Sequence, residues 1–317
     1  MTSAWGSQGA GQPPLRVAIL LSTYNGEAFL ADQLDSLAQQ TLADWVLYWR
    51  DDGSDDDTVA VMQRFMAGPG AGRCHPVPEP AGRLRSTASF MVLLRAAVAA
   101  DVDAVAFADQ DDVWLPGKLA LAADALRLDP RPTLYCSRQI LVDRALRRIG
   151  LSAPVPRPPD FPAALTQNIA TGCTVVLNRA AAQLVASSHP PPATLHDWWS
   201  YLVVSANGGR LVMDATPTVL YRQHGGNLVG APASMTRRAI GALRRGPGVF
   251  MAVLRGHVAA LQEQPHLLSP DAAAALDIVQ AGLQGGLSQR LRALRLSGLV
   301  RQTWPETLLF RWWFLVG

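Results

Sequence analysis

Val17–Leu21 (VAILL) is an unbroken apolar run, the length and character of a strand buried on both faces. Leu30, Leu34 and Leu37 then repeat at helical spacing, with Phe29 beside them. The alternation continues. Trp45–Trp49 (WVLYW) predicts a strand, and Met62 and Phe65 a helix whose start resembles a capping signal at Ser54 and Asp57. A weak strand near Val77 precedes a helix marked by Phe90, Leu93, Leu94 and Ala97. Val102–Ala108 predicts a fourth strand, and Pro116 leads into a helix through Leu119, Ala122 and Leu126. Repeated βα units predict an α/β fold with a mostly parallel sheet and helices on its faces. Right-handed crossovers then align the strands' carboxyl ends along one edge.

Beyond Thr133 the pattern is less regular. Strands are expected at Leu134–Val142, Thr174–Leu177, Arg210–Met213 and Thr218–Arg222, and the Pro-rich stretch Ala153–Pro162 reads as a loop. From about Ser234 only helical patterns follow: Arg237–Arg245, Val249–Leu261, Ala272–Ala281, Leu287–Leu299 and the apolar, aromatic segment Leu308–Val316. Residues 1–14 read as a loose tail, with no apolar stretch of signal-peptide type.

Composition narrows the class. Hydrophobic residues make up 49% of the 317 and charged residues 17%, enough for a sizeable core. A net charge of +3 argues against a nucleic-acid partner held by charge. Cys74, Cys136 and Cys173, odd in number and never in a C-x-x-C pair, argue against a disulfide framework and suit a reducing, cytoplasmic compartment. No apolar run approaches the ~20 residues of a transmembrane helix, so a soluble or peripheral protein is expected. The sequence has a single lysine, Lys118, among 28 basic residues.

Three strands run into polar clusters: Ser22-Thr23-Tyr24-Asn25-Gly26 after the first, Arg50-Asp51-Asp52-Gly53-Ser54 after the second, and Asp109-Gln110-Asp111-Asp112 after the fourth. Ligand crevices of open α/β sheets lie beyond the strands' carboxyl ends, so the three clusters converge on one site. Asp55–Asp57 suit a helix N-terminus. Asp109, Asp111 and Asp112 repel one another, and such crowding calls for a cation; two carboxylates plus phosphates commonly hold Mg²⁺ or Mn²⁺. Neither a P-loop nor a G-x-G-x-x-G follows the first strand.

With STYNG, RDDGSDDDT and FADQDDVWLPGK in order, followed by ATGCT (Ala170–Thr174), LHDWW (Leu195–Trp199) and YRQHGGN (Tyr221–Asn227), the sequence resembles a family 2 glycosyltransferase of its rhamnosyltransferase-like branch. The resemblance spans roughly Arg16–Gly230, and departs from the family at Pro80-Ala81-Gly82, where many relatives have Asn-x-Gly. It implies a GT-A-like, Rossmann-like nucleotide-binding sheet in residues 15–230, split into a nucleotide-sugar half (15–130) and an acceptor half (131–230). A C-terminal helical extension (231–317) follows. Thr23, Tyr24, Asn25, Asp51, Asp52, Asp109, Lys118, Trp198 and Arg222 would contact the nucleotide-sugar. Asp109, Asp111 and His224 would hold a divalent cation, and Asp197 would be the general base of an inverting transfer. Trp198 and Trp199 would offer sugar-facing aromatic surface. The branch points to a rhamnosyl donor such as dTDP-L-rhamnose and a saccharide or lipid-linked saccharide acceptor in cell-surface polysaccharide synthesis. The same cation site would also serve a nucleotidyltransferase or phosphohydrolase, and an inactive sugar-binding scaffold is the non-enzymatic alternative. The C-terminal arginines and tryptophans fit a peripheral membrane anchor, a helical cap on the sheet, or a dimer interface.

Overall fold

The computed structural model describes residues 15–80, 82–127, 129–225 and 235–317. The expected tail, the 230/231 boundary, Gly226 and Asn227 lie outside these residues, as do the side chains of Arg237, Arg238, Arg244 and Arg245. The first half runs β1 (Val17–Thr23), α1 (Leu30–Ala38), β2 (Trp45–Asp51), α2 (Thr58–Ala67), β3 (Cys74–Pro76), α3 (Arg85–Val98), β4 (Ala104–Ala108), β5 (Val113–Trp114) and α4 (Lys118–Leu126). Next come β6 (Thr133–Val142), β7 (Arg148–Leu151), α5 (Phe161–Thr166), β8 (Val176–Asn178), α6 (Arg179–Ala186), α7 (His196–Ala206) and β9 (Arg210–Arg222). The chain closes with α8 (Met235–Gln262), α9 (Pro270–Gln284), α10 (Leu287–Leu294) and α11 (Trp304–Val316).

These strands form one sheet in the order β3-β2-β1-β4-β8-β6-β9-β5, with β7 paired to β6. β3, β2, β1 and β4 are mutually parallel, whereas β8 is antiparallel to both β4 and β6. β1 lies between β2 and β4, so the chain reverses its direction of travel across the sheet there; this switch point is where a ligand crevice opens. Alternation along β1 builds the two layers. Val17, Ile19 and Leu21 pack with Leu34 and Leu37 of α1, Met62 of α2 and Leu119 of α4. Ala18 and Leu20 belong to the opposite core, with Phe90 and Leu94 of α3 and Trp199 and Leu202 of α7. Met251, Leu254, Val279, Phe310, Trp313 and Phe314 of the C-terminal helices join that second core, which supports the cap reading for their inner faces.

Several expectations need correction. The strands expected at Arg210–Met213 and Thr218–Arg222 are one, β9. Its register against β6 shifts where Pro217, which has no N–H to donate, faces Arg138. Thr174 ends a 3-10 turn, and the strand begins at Val176. The Pro-rich loop stops at Asp160, whose carboxylate caps α5 through Ala163 N–H, with Pro162 in the first turn. Ser54 does not cap α2; its hydroxyl donates to Asp51 instead. The two helices expected over Arg237–Leu261 are continuous as α8, with Pro247 inside.

Candidate active site

The loops after β1, β2 and β4 are stitched together by side chains. Thr23 is buried, accepts from Trp49 Nε1 (3.0 Å) and donates to Asp51 Oδ1 (2.9 Å). Asp51 also takes the Ser54 hydroxyl (2.6 Å) and the backbone N–H groups of Gly53 and Ser54. Asn25 sits at φ +47°, where its Oδ1 accepts the Asp55 N–H (3.0 Å). Gln110 binds the backbone of Tyr24 twice, its Oε1 accepting the N–H and its Nε2 donating to the carbonyl, both at 2.9 Å. A Cβ at Gly26 would lie 2.4 Å from Gln110 Oε1, so glycine is needed for that approach. The half-buried Tyr24 ring carries the Arg83 guanidinium 3.8 Å from its centroid.

Asp52 serves the framework. It is buried, pairs with the buried Arg50 (2.5 Å) and accepts the N–H groups of Leu84 and Arg85. Arg50 also donates to the carbonyls of Pro80 (3.0 Å) and Gly82 (2.5 Å). This pair ties the end of β2 to the start of α3, which leaves Asp52 an unsuitable donor contact and corrects that expectation.

The acidic cluster has an inner and an outer part. Ligand atoms of Asp109, Asp112 and Cys173 lie within 4.8 Å of one another, with Asp112 and Cys173 fully buried. Asp112 Oδ1 accepts the Arg222 N–H (3.0 Å), while its buried Oδ2 has no oxygen or nitrogen hydrogen-bond partner and lies in the cluster with Asp109 and Cys173. Toward the outside, Asp111 Oδ2 lies 2.7 Å from His224 Nε2. Burial, then the charges of Asp111 and Asp197, push the Asp109 carboxyl up to about 8. Burial, with the charges of Asp109 and Asp111, raises Asp112 well above the usual carboxylate range. An orphaned buried oxygen amid crowded carboxylates and an imidazole is a donor set that suits a hard divalent cation.

Arg222 and Lys118 lie beneath this cluster. Arg222 is buried and donates to Asp32 Oδ2 (2.8 Å), the Asp111 carbonyl (2.8 Å) and the Arg144 carbonyl (2.6 Å), so it holds the turn from below. Lys118 is fully buried, its Nζ without a hydrogen-bond partner and 3.6 Å from the Trp114 ring centroid. Burial lowers its pKa to about 7. Both are buried in the framework rather than turned outward to a nucleotide-sugar as expected.

Asp197 opens α7 and is buried. Its Oδ2 accepts the Gly172 N–H (2.8 Å), and its Oδ1 accepts Asn168 Nδ2 (3.1 Å) and the Trp198 N–H (2.6 Å). Burial outweighs these bonds and lifts the carboxyl to about 6. A Cβ on Gly172 would lie 2.8 Å from His196 Nε2, so the close approach behind Asp197 requires glycine. Trp199 is core and offers no sugar-facing surface, while the half-buried Trp198 donates to the Ala164 carbonyl (2.8 Å) and packs edge-on to His257. Sequence reasoning missed Gln110, Asn168 and Gly172 as site-building residues, although two of them sit within motifs it quoted.

A switch point with carboxylates at the ends of β2 and β4, facing the polar end of β1, fits the GT-A fold. Residues 18–172 match the family model of glycosyl transferase family 2, and this segment is a family 2 glycosyltransferase domain. Over 238 residues the chain is 29% identical to the dTDP-rhamnosyl transferase RfbG of Shigella flexneri, covering 68% of this chain and 75% of that one. It is 27% identical over 164 residues to the UDP-Glc:alpha-D-GlcNAc-diphosphoundecaprenol beta-1,3-glucosyltransferase WfgD of Escherichia coli, covering 51% and 60% respectively. The fold is shared with S. aureus TarS (residues 1–349, in complex with UDP-GlcNAc), at a TM-score of 0.56 and 14% identity over 88% of this chain and 79% of that one.

Proposed function

We propose that this enzyme transfers a sugar, rhamnose by its likeness to a dTDP-rhamnosyl transferase, from a nucleoside diphosphate to a saccharide hydroxyl, inverting the anomeric carbon. The likeness to a dTDP-rhamnosyl transferase supports dTDP-L-rhamnose as donor, and the likeness to an enzyme named for a diphosphoundecaprenol acceptor supports a lipid-linked saccharide in cell-surface polysaccharide synthesis. Free Cys74, Cys136 and Cys173 suit the cytoplasmic side of the membrane.

The observation that carries the reading is Asp197. A carboxyl poised at about 6 is ionised at neutral pH yet more basic than an ordinary carboxylate, as a general base should be. It takes the acceptor's hydroxyl proton as that oxygen attacks C1 and the bond from C1 to the diphosphate oxygen breaks. One displacement inverts the centre, and the nucleoside diphosphate leaves. Tyr24 and the Thr23–Asp51 pair would contact the base and ribose of the donor. Asp109, Asp111 and His224 would hold Mg²⁺ or Mn²⁺, which when bound offsets the charge of the departing diphosphate. Residues 15–230 would form the catalytic part and 231–317 a helical extension, whose inner faces pack on the catalytic core.

The test is a panel of nucleotide-sugars with dTDP-L-rhamnose included, scored for products with and without chelator. Metal-dependent release of nucleoside diphosphate is expected. Pyrophosphate or inorganic phosphate as the product would overturn the assignment.

A further inference from the structure

α11 has two different faces. Thr307, Phe310, Trp313 and Phe314 turn inward to the core. Trp304, Leu308, Trp312 and Val316, four residues apart and therefore on one side of the helix, are 67%, 43%, 53% and 58% exposed. α10 touches α11 where Arg290 Nη1 donates to the Leu315 carbonyl (2.6 Å), and it exposes Leu287 and Leu291 as well. Two open tryptophans on a single stripe are more than scattered surface hydrophobics.

Charge indicates what covers this face. From Gly285 onward the chain has Arg290, Arg292, Arg295, Arg301 and Arg311 against one acid, Glu306, which accepts the Thr303 hydroxyl in the cap of α11. Arg292, Arg295 and Arg311 are exposed. Apolar and indole side chains accompanied by the exposed Arg292, Arg295 and Arg311 match the headgroup region of an anionic bilayer. α11 has 13 residues, about 20 Å of helix, against a hydrocarbon core of about 30 Å. Among the described residues no helix is long and apolar enough to cross a membrane, so α11 would lie along the surface.

The position of this face agrees with that chemistry. Asn168 donates to Asp197, and its neighbour Gln167 accepts the N–H of Gln302, the residue before the Thr303 cap. The exposed helix thus begins beside the wall that holds the carboxylate.

We propose that the outer face of α10 and α11 docks the enzyme on an anionic lipid surface. The inference rests on the face itself and not on the identity of the sugar donor, so vesicle binding and transfer fail independently. The experiment sediments the full chain with vesicles of phosphatidylcholine alone and of phosphatidylcholine mixed with phosphatidylglycerol. Binding to the mixed vesicles that weakens with salt is expected. The triple variant Trp304→Gln, Leu308→Gln, Trp312→Gln should bind at least ~10-fold more weakly. Its melting temperature should stay parental, because these side chains already face water. Deleting α11 would uncover Phe310, Trp313 and Phe314, so point variants are the sounder probe. Arg292→Gln, Arg295→Gln, Arg311→Gln should lose the preference for anionic vesicles. Equal binding by the apolar triple variant, or no vesicle binding by the parent, would overturn the proposal. A parent dimer that the same variant converts to monomer, without vesicle binding, would give the face to a second copy and overturn it too.

Discussion

Asp197→Asn separates catalysis from stability, because the structure sets two stability effects against each other. The carboxylate accepts three hydrogen bonds, from Gly172, Asn168 and Trp198. Asparagine keeps one acceptor oxygen and turns an N–H₂ toward a donor, a loss of about 1–3 kcal/mol for a buried unmet bond. Against this, burial raises the Asp197 carboxyl from its ordinary 3.8 to about 6, so its ionised form costs the fold about 3 kcal/mol at neutral pH. Removing the charge returns a similar amount. The melting temperature of the variant at neutral pH should therefore stay within a few degrees of the parent.

Transfer should not. Asparagine cannot take a proton, and loss of a positioned general base costs about 10²–10⁴-fold. The assay is kcat/KM for transfer across pH 5–8, with donor affinity measured separately. In the parent, kcat/KM should fall about tenfold per unit below pH 6, as Asp197 becomes protonated, and level off above. The variant should lose that limb and keep its donor affinity. A variant that transfers within several-fold of the parent, or a parent profile flat from pH 7 to 5, would refute the assignment of Asp197 as base.

Asp111→Asn should damage donor binding and turnover together; titration calorimetry with Mn²⁺ and nucleoside diphosphate checks this, and chelator-insensitive activity in the parent would argue against the site. His257, whose Nε2 lies 2.8 Å from Thr194 Oγ1, is held neutral by burial with its pKa lowered to about 4. The unfolded chain binds this proton more readily, so the contribution of His257 to stability is intact above about pH 6.5 and declines as pH falls toward 4. Urea melts at pH 7 and pH 5 should show the parent losing about 2 kcal/mol relative to His257→Gln at the lower pH; parallel losses in both proteins would reject it.

The parts of this enzyme that were legible in the sequence are those set by local periodicity and chain order. VAILL, WVLYW and VDAVAFA announce buried parallel strands, and the polar run after each becomes a site wall because parallel strands end along one edge. The position of Asp197 in the first turn of a helix was legible for a related reason, since an acid followed by an apolar, aromatic run reads as a helix start. What was not legible is which acids are already spoken for. Asp51 and Asp52 are neighbours of identical type, yet Asp51 binds the loop around Thr23 while Asp52 is captured by Arg50 and by backbone 32 residues away. Arg222 finds its carboxylate partner in Asp32, 190 residues distant.

Such pairings leave no periodic trace, because a side-chain bond across the fold constrains one residue at each end and nothing between. Trp198 and Trp199 show the same limit on a helix. An aromatic pair beside the proposed base suits a sugar platform, but consecutive helical residues diverge by about 100°. One indole is carried to the Ala164 carbonyl and the other into the core. Residues that build a site from behind, such as Gln110 clamping Tyr24 and Gly172 making room for His196, become visible only when the distance to a distant partner can be measured. The chemistry at the crevice therefore depends on a framework whose amino acids look like ordinary loop residues, and substitutions in that framework should alter activity by moving the carboxylates rather than by replacing them.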